Sequence, residues 1–238
     1  MAGYLDFEHL ESIDTDTFWN QKPFPWINPI ALIKPEGWAE LERDLPSLED
    51  FDERFGEARR AGQEPHDRYS LEYKEGLSIA NSWQTFIDEL RSDRYRRQIC
   101  RLFDTRKVEF RFHWHYTPTG RSVSPHIDAV RELGSHIFYF NIPEWHSSWG
   151  GETLILDDRR EWLRDSAPDF DAFDEVIPAT CIGNSSLLFN GRDHGWHGVR
   201  KIECPEEHLR RIFIVIINPV SRLWRIRDRM IGKSIQRL

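Results

Sequence analysis

Cysteine is scarce in this 238-residue chain: Cys100, Cys181 and Cys204 are an odd number and lie far apart. With no CxxC pair, neither a disulfide framework nor a thiolate zinc site is expected, and the usage suits a reducing cytoplasm. No apolar run approaches the roughly 18 residues of a bilayer-spanning helix, so no membrane span is expected. The opening MAGYLDFEHLESIDTD is acidic and lacks the basic and apolar regions of a signal peptide. A basic excess is missing as well. Lys and Arg number 32 against 40 Asp and Glu, a formal charge of -8, which argues against general nucleic-acid binding. The exception is 221–238, where six Lys/Arg meet one Asp.

Aromatic residues, by contrast, are abundant: 10 Trp, 15 Phe and 6 Tyr, so rings are expected to build much of the core. Hydrophobic residues at 39% and charged residues at 30% give a globular balance. The length suits one domain over 1–238. Within it, 1–105 read as helical or irregular support, 106–219 as the core, and 220–238 as a basic segment able to pack one helical face onto the domain.

Pro23, Pro25, Trp26 and Pro29 mark a stiff connection, and Pro35 opens a helical pattern through Trp38, Leu41 and Leu45. Residues 60–80 are polar without a sustained period and read as a surface loop or lid. From Trp83 to Phe103 apolar residues recur at helical spacing, with Ser92-Asp93 placed to cap a second helix. The period then changes. Val108, Phe110, Phe112, Trp114 and Tyr116 alternate with Lys107, Glu109, Arg111, His113 and His115, the pattern of a half-buried strand. Further strands are expected at 135–141, 152–156, 185–189 and 211–217, and a charged helical or loop insertion at 159–172. Helices first and strands after imply a mainly β fold, a sheet or barrel core with helices outside it.

The sharpest chemical signal is Pro125-His126-Ile127-Asp128, followed much later by Gly195-Trp196-His197-Gly198-Val199. Two residues apart on an extended segment, His126 and Asp128 point the same way. Two imidazoles and a carboxylate can occupy one face of an octahedral metal and leave three positions open. An HxD dipeptide alone is weak, because polar residues in a turn after a proline read identically. His194 competes with His197 as the distal imidazole. His113 and His115 also form an HxH, whose neighbours suggest a solvated or substrate-facing surface. His66, His136, His146 and His208 have no such context and are expected to be ordinary polar residues. Trp145 and Trp149 are expected to pack at a rim beside the Gly150-Gly151 turn.

The order of Tyr116, His126-Ile127-Asp128, 137–141, Gly150-Gly151-Glu152-Thr153-Leu154, 186–189, WHGV and Arg210-Arg211 resembles the 2-oxoglutarate- and iron(II)-dependent oxygenases, in their prolyl-hydroxylase-like branch. The resemblance covers about 83 to 219. It implies a double-stranded β-helix, or jelly roll, with flanking helices. It also implies a dioxygenase that binds iron(II), 2-oxoglutarate and O2 and hydroxylates a C–H bond, with release of succinate and CO2. His126, Asp128 and His197 match the family's iron ligands, and the WHGV context favours His197 over His194. Tyr116, Tyr139 and Thr153 match positions around the cosubstrate. An Arg on the last strand matches the group that holds its distal carboxylate, where a guanidinium fork gives two charge-assisted hydrogen bonds. The gap from His197 to Arg210-Arg211 is longer than in many relatives. Adjacent strand residues face opposite sides, so only one Arg can point inward. Arg211 is preferred, since Ile214 follows three residues later and compact Val215 leaves more room than Ile214.

Two other classes fit the same ligand types: a cupin-like metal- or ligand-binding module without turnover, and a zinc hydrolase, for which no HExxH motif is present. Succinate released from 2-oxoglutarate separates an oxygenase from the first, and aerobic metal substitution from the second, because zinc should stop an oxygenase and support a hydrolase. A small-molecule substrate is preferred over a protein side chain, because no extended peptide-binding signature is recognised. The loops at 60–80 and 157–178 and the first eighty residues are expected to define it.

Overall fold

The computed structural model describes residues 3–57, 65–129, 131–157, 167–192 and 194–220. Two short helices, α1 (Phe7–Ser12) and α2 (Thr15–Asn20), come first, each capped by an aspartate that accepts from a first-turn N–H. Strand β1 (Trp26–Ile27), helix α3 (Pro35–Arg43) and strands β2 (Asp52–Arg54) and β3 (Arg68–Glu72) follow. Pro35 occupies the first turn of α3, as its fixed φ and missing N–H allow. Helices α4 (Asn81–Leu90) and α5 (Asp93–Leu102) are separate, and the Ser92 hydroxyl accepts from Tyr95 N–H at the break.

The remaining strands are β4 (Val108–Pro118), β5 (Val123–His126), β6 (Gly134–Tyr139), β7 (Leu154–Asp157), β8 (Glu175–Pro178), β9 (Ser186–Asn190), β10 (His197–Val199) and β11 (Leu209–Pro219). They form a seven-stranded sheet, β1-β9-β6-β11-β4-β3-β2, and a four-stranded sheet, β5-β10-β7-β8, antiparallel throughout. From β4 to β11 the chain passes repeatedly between the two sheets, which makes the core a jelly roll.

One face of the larger sheet carries Phe112, Trp114, Phe138, Phe140, Phe213, Val215 and Ile217 against Trp83, Phe86, Tyr95 and Ile99 of α4 and α5. Rings meet there edge-on or tilted, Trp83 lying 5.2 Å from Trp114 and 5.0 Å from Phe213. The other face looks into the barrel, where Ile137, Tyr139, Leu187, Phe189 and Ile212 meet Ile155 and Val199 of the smaller sheet.

Several expectations need correction. The stretch 60–80 contains β3, which pairs with β4, so it is not simply a surface loop. The support region 1–105 likewise contributes β1, β2 and β3 to the larger sheet. Polar alternation hid β3, because the barrel face that it helps to form is itself polar. His136 is no ordinary polar residue: it is fully buried beneath α5, with its Nδ1 2.9 Å from the Tyr95 hydroxyl. The basic segment from 221 onward and most of the insertion at 159–172 lie outside the described residues.

Candidate metal centre

Strand β10 lies between β5 and β7, which sets His197 directly opposite His126 on one side and Ile155 on the other. The two imidazoles therefore stand on one face, their ring centroids 4.3 Å apart. Asp128 follows β5 by two residues and turns back between them. Its Oδ1 is 3.8 Å from His126 Nε2 and 3.7 Å from His197 Nε2. Ligand atoms from all three residues fall within 4.8 Å of one another.

Two details show that this cluster fits a cation. His126 Nδ1 is 2.9 Å from Ser124 O, and His197 Nδ1 is 2.8 Å from Gly195 O. A carbonyl only accepts, so each Nδ1 carries the proton and each Nε2 presents a lone pair to the centre. Asp128 Oδ2, moreover, is buried without a hydrogen-bond partner among the described residues. An orphaned carboxylate oxygen is costly unless an ion or donor meets it. Two imidazoles and one carboxylate on one face are the donor set of non-haem iron sites with open positions. His194 is exposed and stands outside the cluster, as do His113 and His115.

Arg210, not Arg211, enters the barrel. Arg210 is 2% exposed and donates through Nε to Gly151 O and through Nη2 to Thr153 Oγ1, the latter at 3.1 Å. Its guanidinium carbon lies 5.6 Å from the centroid of the Tyr139 ring, and the Tyr139 hydroxyl donates to Thr153 Oγ1 at 2.8 Å. Burial pushes the Tyr139 phenol up to about 12, so it stays a donor. Gly151, at φ 91°, makes the approach possible: a Cβ there would lie 3.3 Å from Arg210 Cδ and 3.1 Å from the Trp145 ring.

Arg211 lies on the opposite face, with Nη1 3.7 Å from Glu42 Oε1. The register is decided by neighbours that sequence alone does not rank. Phe213, Val215 and Ile217 fill the face beneath the helices, whereas Ile212 and Ile214 line the barrel. Tyr116 pairs with Arg211 and shares that outer face, its hydroxyl donating to Pro46 O and its ring packing 4.4 Å from Phe51. Tyr116 and Arg211, expected beside a cosubstrate, thus stand on the outer face, whereas Arg210, Tyr139 and Thr153 meet inside the barrel.

The polar face of β4 turns out to be interior rather than solvated. His113 is 8% exposed, and burial with the nearby Arg111, Arg68 and Lys74 pulls its imidazole down to about 3. His115 is held well below its ordinary value by burial, Arg68, His113, Arg210 and His66. The His66 ring lies 4.4 Å from that of His126. Glu72 and Arg111 face the same space, and sequence reasoning missed Glu72 because β3 was not recognised.

No family model matches the chain, and no curated protein sequence does. Solved structures do. A Pseudomonas putida prolyl-4-hydroxylase aligns with TM-score 0.60 at 14% identity, over 87% of this chain and 98% of its own. A Trichoplax adhaerens prolyl hydroxylase, solved with a hypoxia inducible factor oxygen degradation domain peptide, aligns with TM-score 0.62 at 12% identity, over 96% and 94%. The alpha-ketoglutarate-dependent carbocyclase SnoK of nogalamycin biosynthesis aligns with TM-score 0.58 at 9% identity, over 88% and 85%. The fold is that of the 2-oxoglutarate oxygenases. At these identities the likeness carries the architecture alone.

Proposed function

We propose that this 2-oxoglutarate-oxygenase fold is an active iron(II)- and 2-oxoglutarate-dependent dioxygenase that hydroxylates a C–H bond of a small molecule. The observation that carries the reading is the convergence of His126, Asp128 and His197, with Asp128 Oδ2 buried and unmet. When bound there, iron(II) supplies the redox chemistry by which O2 and 2-oxoglutarate become a hydroxyl group, succinate and CO2. The chain's own residues hold and orient. His126 and His197 present Nε2, and Asp128 presents its carboxylate. Arg210 takes the distal carboxylate of 2-oxoglutarate, helped by the Thr153 and Tyr139 hydroxyls, and a fork of parallel N–H groups suits that planar anion. Ile155, Phe189 and Ile212 make the surroundings dry, which strengthens those charge-assisted contacts.

Support for a small molecule comes from the depth of the remaining polar groups: Glu72 and Arg111 are only 17% exposed inside the barrel. The Trichoplax neighbour, solved with a peptide, favours a second reading in which a protein side chain reaches the same centre. Three free thiols, two of them buried, support a reducing compartment such as the cytoplasm.

Aerobic incubation with iron(II) and 2-oxoglutarate should release succinate, and zinc(II) in place of iron(II) should stop it. Tight metal binding without succinate would overturn the enzyme reading in favour of a binding module. Zinc-supported hydrolysis would overturn it in favour of a hydrolase.

A further inference from the structure

Beyond the metal and cosubstrate groups, the barrel wall built by β3 and β4 carries a second polar arrangement. Glu72 lies directly opposite His113, and Arg111 precedes His113 by two residues on the same face. Arg111 Nε and Nη2 both approach Glu72 Oε1 at 3.4 Å, and Nη2 is 3.3 Å from His113 Nε2. These contacts are long for a charge-assisted pair, which prefers about 2.7–2.9 Å. Both crowd onto one carboxylate oxygen. The other, Glu72 Oε2, is buried and has no hydrogen-bond partner among the described residues. A structural ion pair would be expected to satisfy both oxygens.

The wall and the metal centre share one space. Arg111, Ile216, Ser135 and Phe189 stand in one row across β4, β11, β6 and β9, and the Phe189 ring lies 4.8 Å from that of His197. A molecule that extends from the metal centre along this row would meet Arg111 and, beside it, Glu72.

Resting on the dioxygenase reading, we infer that Glu72, Arg111 and His113 recognise the substrate through an uncharged group that donates to Glu72 Oε2 and accepts from Arg111. A carboxamide is the simplest such group. Arg111 and Glu72 are paired with one another, so a ligand charge placed between these two groups would meet a like charge at one of them. A carboxylate would face the Glu72 oxygen, and an ammonium would face the Arg111 guanidinium. A group with one donor edge and one acceptor edge meets both ends of the pair.

The test uses the full chain loaded with zinc(II) and 2-oxoglutarate, so that no turnover intrudes. The probes are cyclohexanecarboxamide, cyclohexanecarboxylate and cyclohexylmethylammonium, read by ligand-observed NMR. The carboxamide should bind best, and Glu72→Gln, which turns an acceptor into a donor at nearly constant shape, should raise its Kd about tenfold. Arg111→Met should do the same, and serves if Glu72→Gln fails to fold by thermal melting. The inference is overturned if either charged probe binds as well as the carboxamide, if none binds, or if the folded variants bind it unchanged. Iron-dependent succinate release by the unaltered chain is measured apart from this titration, so failure of the dioxygenase reading and failure of the recognition wall are told apart.

Discussion

The two faces of the strand pair β4–β11 are made from alternate residues of the same two segments, yet they have opposite work. Beneath the helices stand Phe112, Trp114, Tyr116, Phe213, Val215 and Ile217. Toward the barrel stand Arg111, His113, His115 and Arg210, with Ile212 and Ile214 between. The outer face keeps its place by ring packing and apolar burial. The inner face gives up some of that stability to buried imidazoles and a buried guanidinium, and it looks toward the unmet carboxylate oxygen of Glu72 on β3. Changing the inner face should therefore alter binding and chemistry with modest effect on folding, and changing the outer face the reverse.

The sharpest break in that contrast is on the smaller sheet, at the metal centre. His197→Ala removes one of the three proposed ligands and should abolish iron(II) binding and iron-dependent succinate release, a loss on the order of a thousandfold or more. Its thermal midpoint should stay near that of the parent. The His194→Ala variant should keep both metal and activity, and metal titration of the two variants checks the pair.

On the outer face, Phe213→Ala should cost about 3–5 kcal/mol of stability, since Phe213 is fully buried among Trp83, Phe86, Phe112 and Trp114. Urea unfolding would measure it, and a cost below about 1 kcal/mol would deny the outer face its structural role. The neighbouring residues Arg210 and Arg211 bring the comparison down to one peptide unit. Arg210→Ala should raise the 2-oxoglutarate requirement tenfold or, roughly, much more, because a lost buried charge partner costs about 2–5 kcal/mol. Arg211→Ala should change it little, its one ion pair among the described residues being the 3.7 Å contact with Glu42. Titrating 2-oxoglutarate against succinate formation distinguishes the two.

Much of this division was legible in advance. Strict alternation along 107–116 announced two unlike faces, and Ser92-Asp93 announced the break between α4 and α5. The HxD and the distant WHGV segment supplied three residues that the strands bring together. What stayed illegible has a physical cause in each case. Residues 212–217 are apolar at every position, so burial on both faces erases the alternation that would choose Arg210 over Arg211. Tyr116 pairs with Arg211, so the same ambiguity hides the face on which it stands. Strand β3 reads as a polar loop because alternate residues, Arg68, Ser70 and Glu72, face a polar interior instead of an apolar one. β10 is too short to show a period.

His136 is a buried polar residue on the outer face and gives the smallest expected effect. It shares that face with Phe138, is fully buried, and its Nδ1 is 2.9 Å from the Tyr95 hydroxyl. Burial keeps the Tyr95 phenol protonated, and its hydroxyl can donate to the neutral imidazole. Burial also lowers His136 from its ordinary 6.5 to about 3. Between those values the unfolded chain binds a proton there that the folded chain does not. Stability contributed by the neutral imidazole is therefore complete above about pH 6.5 and is lost as pH falls toward about 3. His113, on the inner face, adds a loss of the same sign. In His136→Gln the amide oxygen can still accept from Tyr95, but nothing titrates. The acid limb of its stability curve should be shallower than the parent's by up to about 1.4 kcal/mol per pH unit. Urea midpoints from pH 7 to pH 4 measure the difference, and parallel curves for parent and variant would mean that His136 is already protonated in the fold.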